Sequence, residues 1–105
     1  MTHFIVIGRD SSDDKALERR KAAREEHMKL VNAGVESGQN IMAAALLNGE
    51  GQMAGSIMIV EFEDRNALDK WLEDEPYVTG NVWSNIEIIE CKIPPAFLYR
   101  SLSQK

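Results

Sequence analysis

The hydrophobic and polar positions of the chain fall into six segments that follow two periodicities. β-Branched and aromatic residues predict strands over residues 3–8, 39–48, 56–63 and 81–93. Apolar residues at helical spacing, in stretches rich in alanine, leucine and charged residues, predict helices over residues 13–35 and 65–75. The strand at 39–48 has an alternative, because its run of alanines would suit a helix equally well.

Turn-forming residues separate these segments. The sequence SSDD at 11–14 offers N-cap residues for the first helix. A glycine-rich turn occupies residues 48–55, and Pro76 ends the second helix. Two adjacent prolines then end the last strand. We therefore expect one domain over residues 1–93 and a tail over residues 94–105.

The order β-α-β-β-α-β predicts a ferredoxin-like α+β fold, in which two helices cover one face of a four-stranded antiparallel sheet. The other face is also apolar, because Ile57 and Ile59 alternate with Met58 and Val60 on the third strand. A second sheet from an identical chain would bury that face. We therefore predict a homodimer with sheets packed face to face, and the tail with its FLY sequence at 97–99 lying across the partner.

Composition and charge restrict the class of protein. The 105 residues suffice for one compact domain, and the net charge of -5 argues against a nucleic-acid partner. No apolar run approaches the ~20 residues that a membrane-spanning helix needs, and no signal segment is evident. The single cysteine, Cys91, excludes an internal disulfide and fits a cytoplasmic protein.

Three polar residues interrupt the apolar half of the first helix. Arg20, Arg24 and His27 lie in one row at spacings of four and three, and the row continues to Val31. Each has an ordinary explanation when taken alone, because arginine can extend its head into water and a single histidine is usually a satisfied core residue. Together they predict a wet cleft that accepts anions. Histidine in such a cleft can give and take a proton.

Glu75 is the acid that the second helix most strongly places on its inward face. It lies seven residues after Leu68 and four after Trp71, both of which belong to the apolar stripe. The alternative is a frayed helix end that exposes Glu75 together with its two acidic neighbours. If Glu75 does point inward, it can pair with His27 on the neighbouring helix, fix the tautomer of the imidazole and make it a better base.

Ser56 opens the third strand directly after Gly55. A serine at the end of a strand is usually only a turn former. It could also donate a hydrogen bond to a substrate oxygen, and the glycine beside it would leave room for that substrate.

These same positions resemble the YCII-like proteins, which are small dimeric α/β-barrel proteins of ferredoxin-like fold. The resemblance covers residues 3–93 and depends on three motifs: Arg24-x-x-His27, Gly55-Ser56 and Glu75-Pro76-Tyr77. It implies a histidine-aspartate dyad as the active centre, which by position falls on His27 and Glu75. Glutamate replaces the usual aspartate here, and its extra methylene could move the carboxylate by about 1 Å. Asp74 is the alternative acid.

The branch of this family with a known reaction is a dehydrochlorinase that converts 5-chloro-2-hydroxyhydroquinone to a hydroxybenzoquinone. The resemblance implies His27 as the base and a small aromatic substrate. Arg20 and Arg24 would stabilise the phenolate, and Ser56 would hold a ring oxygen. The ring would lie against Trp71, Pro76 and Tyr77. The reaction needs no cofactor, and the sequence contains no dinucleotide fingerprint and no convincing set of metal ligands.

Two other functions remain compatible with the sequence. One is a different small-molecule enzyme on the same fold, such as a lactone isomerase or a heme-linked monooxygenase. The other is a non-catalytic module that binds a small ligand, because a fold does not determine a function.

Overall fold

The structure, a computed structural model, describes residues 1–98 of the chain. Its elements in order are β1 (Thr2–Asp10), α1 (Ala16–Ser37), β2 (Asn40–Leu47), β3 (Met53–Phe62), α2 (Arg65–Glu73), α3 (Pro76–Thr79) and β4 (Trp83–Cys91). The predicted contact of the tail with a partner subunit includes Tyr99, which lies outside the described residues.

The four strands form one antiparallel sheet in the order β2-β3-β1-β4. This order confirms the predicted ferredoxin-like fold, and the alanine run belongs to strand β2. Strand β1 lies in the middle and pairs with both β3 and β4. Its last residue, Asp10, pairs with Trp83 at the start of β4, while Gly8 pairs with Ser56 on β3. The sequence-distant residues of the candidate site are therefore neighbours at one end of the sheet.

Helix α1 begins later than the sequence predicts. It begins at Ala16, and its N-cap residue makes no side-chain cap hydrogen bond. The Asp13 carboxylate instead accepts hydrogen bonds from the backbone N–H of Lys15 at 2.9 Å and from both Nη atoms of Arg19. The helix ends at Ser37, and its C-cap residue Gly38 adopts a left-handed conformation with φ of 86° that few other residues tolerate.

The second helix ends two residues earlier than the sequence predicts, and a short helix that the sequence did not predict follows it. Helix α2 ends at Glu73, and the single-turn helix α3 begins at Pro76. Glu75 between them is extended, as expected for a residue that precedes proline, and its side chain accepts the backbone N–H of Tyr77. This break turns Glu75 away from solvent, so that the residue is 0% exposed.

The core lies between the helices and one face of the sheet. Its central strand residues are Phe4, Val6, Met58 and Val60, all of which are buried. Trp83 completes the core at the end of the sheet that carries the site. Its indole occupies the space above Gly8, where an added Cβ would lie 2.3 Å from the ring.

The opposite face of the sheet carries isoleucines in register. Ile5 on β1 pairs with Ile59 on β3 and with Ile89 on β4, and Ile7 pairs with Ile57. The two central pairs are half-buried, and Ile89 is exposed. This face, here called the isoleucine face, matches the second apolar face that the sequence predicts.

Candidate active site

His27 and Glu75 form a buried pair between helices α1 and α3. The His27 Nδ1 and Glu75 Oε1 atoms are 2.6 Å apart, and the side chains are 8% and 0% exposed. A neutral imidazole in this pair donates its Nδ1 hydrogen to the carboxylate, which leaves Nε2 as an acceptor. Within residues 1–98, Nε2 has no hydrogen-bond partner and is not among the buried unpartnered atoms. It is therefore accessible from the cavity that His27 lines.

Two aromatic rings fix the orientation of the His27 imidazole. The Tyr77 ring stacks on it with 3.7 Å between centroids and an angle of 8° between planes. Trp83 meets the imidazole and the Tyr77 ring edge-on, at 6.3 and 5.6 Å. Burial raises the pKa of Tyr77, although the nearby Arg20 and Arg24 oppose this shift. Tyr77 consequently keeps its hydroxyl hydrogen at neutral pH.

Arg20 connects the end of β1 to the start of β3. Its Nη1 donates to both carboxylate oxygens of Asp10, at 2.9 and 3.1 Å. Its Nη2 donates to the carbonyl of Gly55 at 3.0 Å and to the Ser56 hydroxyl at 2.8 Å. The Arg20 and Asp10 side chains are 3% and 5% exposed. Burial raises the pKa of Asp10, while the charge and hydrogen bonds of Arg20 act in the opposite direction.

The hydrogen bond from Arg20 orients the Ser56 hydroxyl. Because its oxygen accepts a hydrogen bond from Arg20, the hydroxyl hydrogen remains available to donate. Ser56 as a whole is buried, and it also lines the cavity. It can therefore donate to an oxygen of a bound ligand.

A cavity of about 380 Å³ connects these groups. Its polar lining residues are Arg20, Arg24, His27, Asn40, Ser56 and Tyr77. Its apolar lining consists of methionine, valine and alanine side chains: Met28, Val31, Val35, Met42, Ala43, Ala44, Ala45, Met53 and Met58. A volume in this range is typical of small-molecule pockets, which are ~300–1,000 Å³.

The structure brings together most of the side chains that the sequence nominates. His27, Ser56 and Tyr77 line the cavity, and Glu75 lies buried behind His27. Arg24 is exposed and lines the cavity, so its charge is available to a ligand. The three motifs of the chain thus converge, although they are far apart in sequence.

Three of the predicted substrate contacts differ in the structure. Trp71 does not line the cavity and packs on Phe62 with 5.7 Å between ring centroids, because the break before α3 separates it from Glu75. Pro76 does not line the cavity either; it opens helix α3, where its missing N–H costs no hydrogen bond. Arg20 lines the cavity but donates four hydrogen bonds within the protein, so it positions Ser56 instead of presenting a free cation.

Sequence reasoning missed two residues of the site. Asp10 follows a predicted strand that ends at Gly8, and nothing local marks it as the partner of Arg20. Trp83 lies at the start of the last strand, and only the pairing of β1 with β4 brings it to His27. The prediction that Arg20 lies on the buried side of α1 is the signal that could have prompted a search for a buried acid such as Asp10, because a buried cation needs a partner.

The described residues outside this cavity offer neither a metal site nor a reactive thiol. No group of three histidine, cysteine, aspartate or glutamate side chains within residues 1–98 is placed to hold a metal ion. Burial raises the pKa of Cys91, so its thiol is protonated at neutral pH and a weak nucleophile. None of the helices in this range has both the length and the apolar content of a membrane span.

The chain is similar to a known domain family over most of its length. The model of the YCII-related domain matches residues 2–92, which is nearly all of the described chain. The chain belongs to the YCII-related family. The predicted resemblance is therefore confirmed, and the family match includes the motifs that supply His27, Ser56 and Glu75.

The chain is also similar to individual proteins. The chain is 32% identical over 98 residues to the xenovulene A biosynthesis cluster protein asL2 of Sarocladium schorii, covering 86% of this chain and 84% of that protein. It is 24% identical over 91 residues to protein YciI of Escherichia coli O6:H1, covering 81% of this chain and 91% of that protein.

Solved structures share the fold at low identity. The 5-chloro-2-hydroxyhydroquinone dehydrochlorinase of Burkholderia phenoliruptrix AC1100, in complex with 2,5-dihydroxybenzoquinone, superposes with a TM-score of 0.78. It is 15% identical, and the match covers 90% of this chain and 97% of that one. An antibiotic biosynthesis monooxygenase, also 15% identical, has a TM-score of 0.52 over 90% of this chain and 100% of that one.

Proposed function

We propose that the protein is a cofactor-independent dehydrochlorinase that removes hydrogen chloride from a chlorinated hydroxyhydroquinone. One observation carries the proposal: His27 is tied to a buried carboxylate through Nδ1 and leaves Nε2 accessible from a small-molecule cavity. This is the arrangement that a general base requires. The fold shared with a dehydrochlorinase that binds 2,5-dihydroxybenzoquinone supports the choice of an oxygenated ring as substrate.

The reaction begins with proton removal. His27 Nε2 takes the proton of a ring hydroxyl, and the ring shifts electron density to the carbon that bears chlorine. The same imidazolium returns the proton to that carbon, which forms a keto tautomer. His27 Nε2, free again, then takes a second hydroxyl proton, and the electrons of that O–H bond move through the ring to expel chloride and leave the hydroxybenzoquinone. The overall change is the loss of one HCl, and the two electrons that leave with chloride come from the ring itself.

The surrounding residues stabilise the charges that develop. The Glu75 carboxylate holds the imidazole in one tautomer and balances the imidazolium that forms. Ser56 donates to a ring oxygen, and the exposed guanidinium of Arg24 lies on the cavity wall where it can neutralise a phenolate. Tyr77 restrains the imidazole plane by stacking on it.

A second candidate is a proton-transfer isomerase that acts on an oxygenated ring without chlorine. The relative from the xenovulene A biosynthesis cluster, at 32% identity, favours this alternative because it belongs to a biosynthetic cluster. The same residues would serve, since an isomerase also moves a proton between oxygen and carbon through one base.

We further propose that two copies associate through the isoleucine face. Four isoleucines on the central strands form an apolar patch opposite the helices, and burial of such a patch is the main driving force for association. We also propose that the protein works in the cytoplasm, where a lone thiol such as Cys91 stays reduced.

The proposed function is tested by chloride release from 5-chloro-2-hydroxyhydroquinone. We expect the wild type to release chloride and to form the quinone in equal amounts, and His27→Ala to lower the rate by about 10²–10⁴-fold. His3→Ala is the matched control, because His3 lies on β1 and pairs with Glu61 outside the cavity. Equal rates for wild type and His27→Ala would exclude His27 as the base.

The isomerase alternative gives a different result in the same experiment. The wild type would then release no chloride, yet it would exchange a ring hydrogen of an unchlorinated hydroxyhydroquinone with deuterated water. His27→Ala would lose that exchange. If the wild type does neither but binds the hydroxyquinone, the protein is a binding module and both enzyme candidates are wrong.

A further inference from the structure

The cavity is longer than a single oxygenated ring. From His27, α1 continues along the cavity to Val35, eight residues or ~12 Å further. Across the cavity, β2 contributes lining residues from Ala45 to Asn40, a distance of ~17 Å. A six-membered ring with its two para oxygens is about as long as one helical turn, ~5.4 Å. A ring held at His27 therefore leaves most of this length unused.

The two ends of the cavity differ in polarity. Arg24, Ser56 and the His27–Glu75 pair lie at the end where a ring would react. Beyond His27, the residues that α1 contributes are Met28, Val31 and Val35, all of them apolar. The cavity thus has a polar end and an apolar extension, here called the apolar arm, which runs from Met28 to Val35.

Small side chains on β2 keep the apolar arm open. Ala43 pairs with Met58 and Ala45 pairs with Ser56. Cross-strand partners project from the same face of a sheet, and Met58 and Ser56 are buried on the face that α1 covers. The two alanines therefore present only methyl groups on this face, and both remain exposed in the cavity. A larger side chain at Ala43 would fill the middle of the arm.

The arm is lined by adaptable and partly uncovered apolar groups. Four methionines line the cavity, and methionine side chains adjust to ligands of varied shape. Val35, at the outer end, is 60% exposed. An apolar substituent of a ligand would cover this surface. Asn40 lies at the end of β2 away from Ser56, where its amide nitrogen donates to the Val31 carbonyl.

Taking the proposed reaction site as given, we propose that the substrate is an oxygenated ring that carries an extended apolar substituent, such as an alkyl or prenyl chain. The ring binds beside His27 and Ser56, and the substituent lies in the apolar arm between α1 and β2. The ~12 Å from His27 to Val35 accommodates a chain of about eight carbons. The reactive end and the specificity-determining end of the cavity are therefore separate.

Binding of a homologous series of quinones tests this inference without requiring turnover. We propose titration calorimetry of the full chain with hydroxybenzoquinone and with its propyl, hexyl and dodecyl derivatives. Each buried methylene strengthens binding by about fourfold, so affinity rises along the series and levels off once the arm is full, between hexyl and dodecyl. Affinity that does not depend on the substituent would overturn the inference.

Two substitutions separate specific binding in the arm from general hydrophobic attraction. Ala43→Phe fills the arm, and Val35→Asp places a charge at its exposed end, where the fold tolerates a polar side chain. We expect each to reduce the ratio of hexyl to unsubstituted affinity by at least tenfold. Ala22→Phe, on the exposed side of α1, is the control and keeps the wild-type ratio. An unchanged ratio in both arm variants would overturn the inference.

The outcome also distinguishes failure of this inference from failure of the proposed function. If the wild type releases chloride but binds all quinones with equal affinity, the arm has no role and the reaction site stands. If long-chain quinones bind preferentially but neither chloride release nor hydrogen exchange occurs, the arm stands and the reaction assigned to His27 is wrong. If no quinone binds, both are wrong.

Discussion

His27 and Glu75 lie 48 residues apart in sequence, and 2.6 Å separates the imidazole Nδ1 from the carboxylate Oε1. The contact depends on the extended backbone of Glu75 before Pro76, which lifts the acid out of helix α2 and turns it toward α1. The longer glutamate side chain therefore reaches the histidine here, and Asp74, which is exposed, does not replace it. Glu75 also accepts the Tyr77 N–H, so one carboxylate holds both the imidazole and the start of helix α3.

Glu75→Gln is expected to reduce turnover strongly. The amide keeps the shape of the side chain but removes the charge that balances the imidazolium, and it can hold the wrong tautomer. The corresponding change in serine proteases lowers kcat by about 10⁴-fold, so we expect a loss of ~10²–10⁴-fold. Glu75→Asp is expected to lose less, about 10²-fold for a shift of ~1 Å.

Steady-state chloride release at neutral pH measures both Glu75 variants. Glu73→Gln is the matched control, because Glu73 is exposed at the end of helix α2. Wild-type kcat in Glu75→Gln, with the thermal unfolding midpoint preserved, would show that the buried carboxylate has no catalytic role.

Tyr77→Phe is expected to weaken the loss of stability at alkaline pH. Burial raises the pKa of Tyr77 above its ordinary value of 10.0. Below pH 10 the tyrosine is protonated in both the folded and the unfolded chain. At higher pH the unfolded chain ionises first, so the free energy of unfolding falls as pH rises through the folded pKa. Phenylalanine does not ionise and lacks this contribution.

The measurement is the thermal unfolding midpoint of wild type and Tyr77→Phe at about pH 8 and about pH 11. All other titrating groups are common to both proteins, so the difference between the two pH dependences reports Tyr77. Parallel curves over this range would contradict the raised pKa.

Asp10→Asn is expected to destabilise the fold by about 3 kcal/mol. The substitution leaves the Arg20 guanidinium buried without a counter-charge, and removal of one partner from a buried ion pair costs ~3–5 kcal/mol. The amide oxygen of the substituted side chain still accepts a hydrogen bond from Arg20, which offsets part of this cost. Asp13→Asn breaks the pair with Arg19 at the surface and is the matched control, with an expected cost well below that of Asp10→Asn, because solvent screens an exposed ion pair. Urea denaturation measures both, and equal costs would contradict the buried network.

Gly34→Ala is expected to destabilise the protein by about 1–2 kcal/mol. An added Cβ would lie 2.5 Å from the Asn40 amide nitrogen, so Asn40 has to move and its hydrogen bond to the Val31 carbonyl weakens. The better helix propensity of alanine offsets up to ~1 kcal/mol of this cost. Gly49→Ala is the control, because nothing lies within 4 Å of its added Cβ. Calorimetric measurement of unfolding tests this prediction. A Gly34→Ala variant more stable than the wild type would contradict the close contact between Gly34 and Asn40.

Ile59→Lys is expected to convert a dimer into monomers. The residue lies at the centre of the isoleucine face, where it pairs with Ile5. Burying an unpaired ammonium in an apolar interface is costly. Light scattering should give twice the 11.8 kDa chain mass for the wild type and the single mass for the variant. Ala22→Lys on α1 is the control and keeps the wild-type mass. A monomeric wild type would contradict the proposed association.

The fold follows from the local pattern of the sequence. The strand segments and the two helical stripes predict the β-α-β-β-α-β order, because the spacing of apolar residues reports directly which side of an element is buried. The same spacing places Arg20 and His27 among buried residues of α1. It also indicates Glu75 as an inward residue, although in the structure Glu75 lies beyond helix α2 and the extended backbone before Pro76 turns it inward. These features needed no knowledge of the tertiary structure.

The partners of these residues were decided by the tertiary structure alone. Asp10 and Trp83 meet Arg20 and His27 because β1 lies between β3 and β4, and no local spacing encodes such long-range pairing. Trp71 is excluded from the site by the break before α3, although its helical period placed it there. The sequence by itself determined which side chains turn inward; the packing of distant strands determined what each one touches, because contacts between elements depend on the three-dimensional arrangement of the whole sheet.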